Sequence, residues 1–163
     1  MAKSKEEKTN VMRVLEQKKI AYTAHTYPHE EGVAVDGVTV AQSMGFDPAI
    51  VFKTLVARGA SKQYYVFDVP VAENLDLKKA AKAVGEKSIE MLHQKELLPL
   101  TGYVHGGCSP VGMKKLFPTV FHSSAENLAA MIVSAGKIGY QVELAPHDLA
   151  ALVRAKFADL IVE

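Results

Sequence analysis

The residues best suited to chemistry gather in one stretch, Gly102-Tyr103-Val104-His105-Gly106-Gly107-Cys108-Ser109-Pro110-Val111-Gly112, the densest glycine run in the chain. Glycines let a backbone approach a ligand closely and turn its N–H groups inward. Such donors can stabilise an oxyanion or hold a ribose or phosphate. The stretch is no P-loop, because the Gly-Lys-Ser/Thr ending is missing, and it lacks the strand-to-helix spacing of a dinucleotide fingerprint. A tight structural turn would use the same glycines. Cys108 is the only cysteine. A cysteine nucleophile needs a base and a group that orients it. His105 is close in sequence, but nothing in the spacing makes the two face each other, and a small buried hydrophobe is the commoner use of a lone cysteine. His25 and His29 have the spacing of a metal pair on a helix. Their segment reads as a strand running into a loop, so they would not share a face, and no metal site is expected.

Lys53 is the second candidate. It lies in Val51-Phe52-Lys53-Thr54-Leu55-Val56, a short run of β-branched and aromatic residues that predicts a strand. Alternation puts Val51, Lys53 and Leu55 on one face and Phe52, Thr54 and Val56 on the other. Both faces are apolar, the pattern of a central strand covered on both sides. An ammonium there is costly unless it is paired or reaches a cleft; the plain alternative is a stem on the core with its head in water.

The elements that must position these residues follow from pattern and turn chemistry. Ser4 and Glu7 have capping-box spacing, and Val11, Val14, Leu15 and Lys18 continue at helical spacing, which predicts an amphipathic helix to about residue 19. Residues 20–27 read as a strand stopped by Pro28, 32–37 as a loop, 39–44 as a helix closed by Gly45, and Asp47-Pro48 as a turn into the central strand. Residues 59–62 form a hairpin loop and 63–69 the partner strand. Asn74 or Asp76 caps a helix whose buried stripe is Leu77, Ala80, Ala81 and Val84, ended by Gly85. Further strands are predicted at 88–92, 119–122, 130–134, 140–144 and 158–162, with a helical turn at 93–98. A short helix carries Lys114 and Lys115, and Pro146 opens a last helix with Leu149, Leu152 and Val153 inward. Strand often follows strand, which is not the βαβ rhythm. The expected class is α+β, a single domain over residues 1–163 with a mixed, curved, barrel-like β-sheet flanked by helices.

Composition narrows the function. The 163 residues carry a net charge of +1, so there is no global basic field, and a polyanion would have to be held by a local patch. Lys78, Lys79, Lys82 and Lys87 crowd the predicted third helix, as a solvated face or as a phosphate-binding patch. One cysteine permits no internal disulfide, which fits a reducing compartment. The charged start, Met-Ala-Lys-Ser-Lys-Glu-Glu-Lys, lacks the apolar centre of a secretory signal, and no apolar stretch approaches a membrane span. A cytoplasmic protein is expected, without membrane, metal or cofactor.

The order of the motifs is more specific than any one of them. The Phe-Lys-Thr-Leu strand is followed by Leu77-Lys78-Lys79-Ala80-Ala81, then by Gly102-Tyr103, Gly106-Gly107 and Ser109-Pro110-Val111-Gly112-Met113-Lys114-Lys115. After these come Val133-Ser134-Ala135-Gly136-Lys137 and Val142-Glu143-Leu144-Ala145-Pro146 with Asp148-Leu149. Over nearly the whole chain this resembles the YbaK/EbsC family of Cys-tRNA(Pro)/Cys-tRNA(Cys) deacylases, relatives of the editing insertion domain of prolyl-tRNA synthetase. The resemblance implies hydrolysis of the ester that joins a wrong amino acid to the 3′ end of tRNA, with no cofactor. It implies Lys53 as the functional lysine, Thr54 and Tyr27 at the pocket, Gly106 and Gly107 as the substrate-binding glycine loop, and Ser134, with Gly136 beside it, facing the site. It also implies cleavage by the substrate's own thiol, with Lys53 as electrostatic stabiliser. Lys78, Lys79, Lys114 and Lys115 are the candidates for the acceptor stem, and prolyl-tRNA synthetase is a candidate partner. Two departures stand out: Cys108 occupies a position where relatives often carry an aliphatic residue, which weakens its case as a nucleophile, and Asp36 falls near an aromatic pocket residue of one subgroup. An Ala-tRNA(Pro) deacylase, a non-catalytic tRNA- or synthetase-binding module and a Cys108-dependent thiol hydrolase are the rival expectations.

Overall fold

The computed structural model describes residues 8–30 and 32–163. Within them the chain forms α1 (Asn10–Gln17), β1 (Thr23–Thr26), α2 (Gly37–Met44), β2 (Phe52–Gly59), β3 (Tyr64–Pro70), α3 (Leu77–Val84) and β4 (Ile89–Met91). These are followed by α4 (Gln94–Thr101), β5 (Thr119–His122), β6 (Met131–Ser134), β7 (Tyr140–Leu144), α5 (Pro146–Val153) and β8 (Lys156–Ala158). The fold is α+β, as expected. The strands form two sheets rather than a closed barrel, one of three strands in the order β1-β7-β6 and one of five in the order β4-β2-β3-β5-β8.

Local chemistry explains most boundaries. The Ser4–Glu7 capping box lies outside the described residues; α1 opens on Thr9, whose hydroxyl accepts the Met12 N–H at 3.3 Å. Asp36 caps α2 and Asp76 caps α3, and both helices stop at a left-handed glycine, Gly45 and Gly85. β2 and β3 form the hairpin, with Lys53 opposite Val69 and Thr54 opposite Asp68.

Three apolar clusters hold the elements. The largest joins α1, both sheets and α5 through Val11, Leu15, Phe52, Val56, Phe121, Val133, Val142 and Leu149. A second lies under α3, where Ala80 and Ala81 meet Phe67, Val69 and Val120. A third, Ala41, Val51 and Ile132, ties α2 to the seam between the sheets. That seam is a single parallel bridge, Val51 to Ile132.

Some expectations fail for identifiable reasons. Leu77 is 41% exposed, because two alanines bring α3 close to its sheet and leave the first residue of the helix beyond the sheet's reach. Lys114 and Lys115 are not helical: Gly112 turns the chain at φ +80°, and the Lys114 N–H ties back to the Thr101 carbonyl at 3.1 Å. The last strand is Lys156–Ala158, parallel to β5, while the expected 158–162 keeps only one bridge, Leu75 to Ile161. α4 runs past a single turn to Thr101, whose hydroxyl donates to the Leu97 carbonyl at 2.7 Å.

Candidate active site

One edge of β2 is left open, and the site lies there. β3 covers the other edge along its whole length, and the Val71 N–H continues that pairing onto the Val51 carbonyl. On the open edge Val51 touches Ile132, and β4 joins only at Ala57–Gly59. Between those contacts no described strand pairs with residues 52–55. A cavity of about 530 Å³ opens at this gap, within the usual size of a small-molecule site.

Lys53, Thr54, Tyr27, Gly106 and Ser134 all line it, with His105, Cys108, Asp36, Tyr140 and Gln141. The sequence-predicted residues come from four parts of the chain. Lys53 and Thr54 come from β2, Tyr27 from just past β1, Gly106 from the glycine loop and Ser134 from the end of β6. Gly106 has φ +88°, and a Cβ there would stand 2.7 Å from that of Ala34, so this position needs glycine for both reasons. Gly107 and Gly136 fall outside the lining. Gly107 packs on the backbone of Lys137 and Ile138, and Gly136 packs on Tyr103 and Val11. Both sit in the turns that carry Gly106 and Ser134.

Lys53 is half-buried and makes no salt bridge among the described residues. Burial pulls its pKa below the ordinary lysine value, while the carboxylates of Asp36 and Glu73 push it back up. The result is a cation at the cavity wall whose donors are not committed to a protein carboxylate.

The thiol of Cys108 is unsuited to attack. It is 7% exposed, and burial, helped by the nearby Asp68 carboxylate, pushes its pKa up to about 12. The hydroxyls have other work: Thr54 Oγ1 donates to Asp68 Oδ1 at 2.5 Å, and Ser134 Oγ accepts the Gly136 N–H at 3.0 Å. His25 is bound to Glu143 at 2.8 Å and His29 to the Tyr27 carbonyl at 2.9 Å, so the two imidazoles serve separate local contacts.

Two polar residues of the site were not singled out in the sequence. Asp68 is completely buried and Gln141 is 7% exposed, and among the described residues neither Asp68 Oδ2 nor Gln141 Oε1 has a partner. Gln141 is the cross-strand neighbour of Ser134 and lines the cavity with it. The basic residues divide differently. Lys79 Nζ binds Asp159 at 2.9 Å, the Ile161 carbonyl at 2.8 Å and Glu163 at 3.2 Å, which ties the C-terminal segment to α3. Lys114 Nζ donates to the Pro99 carbonyl at 3.2 Å. Lys78 and Lys115 are exposed.

Residues 32–152 match the family described as the aminoacyl-tRNA editing domain. The chain belongs to that editing family. It is 46% identical over 161 residues, 98% of each chain, to the Enterococcus faecalis protein named "Putative Cys-tRNA(Pro)/Cys-tRNA(Cys) deacylase EbsC". A solved structure described as a "putative trans-editing enzyme for prolyl tRNA synthetase" superposes with a TM-score of 0.79 at 26% identity, covering 94% of this chain and 95% of that one. A hypothetical protein of known structure superposes with a TM-score of 0.82 at 18% identity, over 93% and 99% of the two chains, which speaks for the fold alone. Residues 32–152 take in Lys53, Thr54, Gly106 and Ser134; Tyr27 is the lining residue of the predicted set that lies ahead of them. Among the described residues no helix is long and apolar enough to cross a membrane.

Proposed function

We propose that the protein is a trans-acting aminoacyl-tRNA deacylase that removes cysteine from Cys-tRNA(Pro) and Cys-tRNA(Cys). Lys53 carries the reading: a half-buried cation with no salt bridge among the described residues, at the wall of a cavity that also holds a glycine turn and the Gln141 side chain. An ammonium at that wall can stabilise charge on the ester carbonyl or the ribose oxygen as the bond breaks. A neutral Lys53 acting as nucleophile would end as a stable amide and stop turnover, so the cationic role is the productive one.

The reaction then needs a nucleophile that the protein does not supply. Cys108 is buried and held protonated, and the Thr54 hydroxyl is bound to a carboxylate. The substrate's own thiol fills the gap. Its sulfur attacks the ester carbonyl, the carbon–oxygen bond to the ribose breaks, and the thiol proton ends on the ribose oxygen. The strained cyclic thioester that leaves takes up water to give cysteine. Positioning supplies much of the acceleration, and a serine hydroxyl, far less nucleophilic near neutral pH, is spared. The acceptor end of tRNA is the ligand, with prolyl-tRNA synthetase as a presenting partner that a pull-down with purified synthetase would test.

Cys-, Ala-, Ser- and Pro-charged tRNA assayed side by side test the reading. Rapid loss of cysteine alone supports it. Preferential release of alanine would make the protein an Ala-tRNA(Pro) deacylase, and binding without turnover would make it a tRNA-binding module.

A further inference from the structure

We propose that Asp68 is a positioning residue of this site, which accepts the hydrogen bond of the Thr54 hydroxyl and so presents the hydroxyl's lone pairs to the α-ammonium of the aminoacyl group. The inference rests on the deacylase reading and adds a residue to it.

Four observations carry it. Asp68 stands directly opposite Thr54 in the β2–β3 register, and the Thr54 hydroxyl donates to its Oδ1 at 2.5 Å. Thr54 lines the cavity while Asp68, fully buried, sits behind it. The surroundings give the carboxyl no other hydrogen bond among the described residues: its neighbours on that face of β2 and β3 include Phe52, Val56 and Val66, the Cys108 thiol lies near enough to feel its charge, and Oδ2 has no partner. Lys53 is not its counter-ion, since it projects from the other face of β2, opposite Val69, and responds to Asp36 and Glu73 instead.

A carboxyl with one hydrogen bond among apolar side chains weakens a fold. A valine at position 68 would pack there without that penalty, so what the carboxyl contributes is sought at the one group it hydrogen-bonds. A hydroxyl has one proton. Once that proton is engaged in the hydrogen bond to Oδ1, Thr54 can meet a ligand only as an acceptor, and the negative charge behind it strengthens acceptance from a cation. The aminoacyl end of the substrate offers one cation, its α-ammonium.

The test is a double-mutant cycle on the full chain with Cys-tRNA. Asp68→Val and Thr54→Val are each expected to lower kcat/KM about tenfold, the scale of one hydrogen bond to a charged group, with most of the loss in KM. The double variant is expected to be no worse than either single one, because both remove the same device. Asp68→Asn, which keeps a carbonyl oxygen for Thr54 to donate to, is expected to recover much of the loss. Asp68→Val is expected to fold at least as stably as the parent, so lost activity cannot be charged to unfolding. Parental kcat/KM in Asp68→Val, losses that multiply in the double variant, or Asp68→Asn no better than Asp68→Val would each overturn the assignment while leaving the deacylase reading intact. A parent protein inactive on every charged tRNA would overturn both.

Discussion

The β2–β3 hairpin treats its polar residues differently at its two ends. At the turn, Glu86 accepts from the Ser61 N–H at 3.1 Å, the Ser61 hydroxyl at 2.5 Å and the Tyr65 hydroxyl at 2.6 Å, and Arg58 pairs with Glu90 at 2.7 Å. At the far end of the same two strands, Asp68 has a partner for one oxygen only, and Lys53 has no salt bridge among the described residues. The turn end is more exposed, where water could have served instead, and it is nonetheless saturated. The drier end, where an unmet polar group costs most, is left open. Folding alone favours the reverse arrangement. On the proposed function, the open end is the one a ligand completes, while the turn end is completed by the chain itself.

The sharpest way to break the comparison is Lys53→Ala. Loss of a single charge-stabilising donor costs about 3 kcal/mol of transition-state stabilisation, roughly 10²-fold or more in kcat. A drop of that size is expected in single-turnover deacylation, with an unchanged circular-dichroism spectrum. Since the proposed role needs the ammonium, activity should also fall as pH rises through a pKa below the ordinary lysine value of 10.5. Near-normal turnover in Lys53→Ala would remove the lysine from the mechanism.

The next effect is on stability. Burial pushes the Asp68 carboxyl from its ordinary 3.8 up to about 7, against the lowering pull of its Thr54 hydrogen bond. Between those values the folded protein holds a proton that the unfolded chain has lost, so stability falls as pH climbs from about 4 to about 7 and is level above. Asp68→Val removes that burden. Urea unfolding should show the variant gaining on the parent by roughly 2–4 kcal/mol at pH 8, and progressively less toward pH 4, since each tenfold difference in proton affinity between folded and unfolded chain is worth about 1.4 kcal/mol. A pH-independent difference between the two proteins would mean that the carboxyl is ionised at no cost.

Much of this was legible in sequence, and the gaps have physical causes. Helix ends were readable because Asp76, Gly45 and Gly85 act locally. Lys53 was readable because one cation in an apolar run contradicts its own surroundings. Asp68 breaks Tyr64-Tyr65-Val66-Phe67-Asp68-Val69 in the same manner, and the logic applied to Lys53 would have found it. Its partner was harder to see, because Thr54 becomes its neighbour only once the hairpin register is set. Gln141 was hidden by regularity. In Tyr140-Gln141-Val142-Glu143-Leu144 the alternation assigns it to an outer face, and only the approach of β2 and α2 from elsewhere in the chain turns that face into a cavity wall. The glycine loop was recognised but not resolved, because which glycine meets the cavity depends on Ala34 and Ile138 across the fold.

The turn end offers a milder test. Tyr65→Phe deletes one hydrogen bond to Glu86, which keeps Ser61 and water. A loss toward the low end of roughly 0.5–1.5 kcal/mol is expected, read as a lower urea midpoint at unchanged slope, with deacylation at the parental rate. Slowed deacylation in a folded Tyr65→Phe protein would show that the two ends are coupled and that the contrast between them is not functional.

The smallest effect is expected at the lysines, where the same contrast recurs at the surface. Lys79 is spent inside the protein on Asp159, Ile161 and Glu163, so reversing its charge should lower stability and leave the salt dependence of KM alone. Lys115 is exposed on the segment that follows the glycine loop, where a passing phosphate could be met. Lys115→Glu should raise KM for charged tRNA a few-fold at low salt, leave kcat unchanged, and lessen the slope of log KM against log salt by about one ion. Such a loss should fade near physiological ionic strength, where a single surface contact is largely screened. If Lys79→Glu instead changed the salt slope and Lys115→Glu did not, the tRNA would approach over α3, on the side of the sheet from which Lys53 projects.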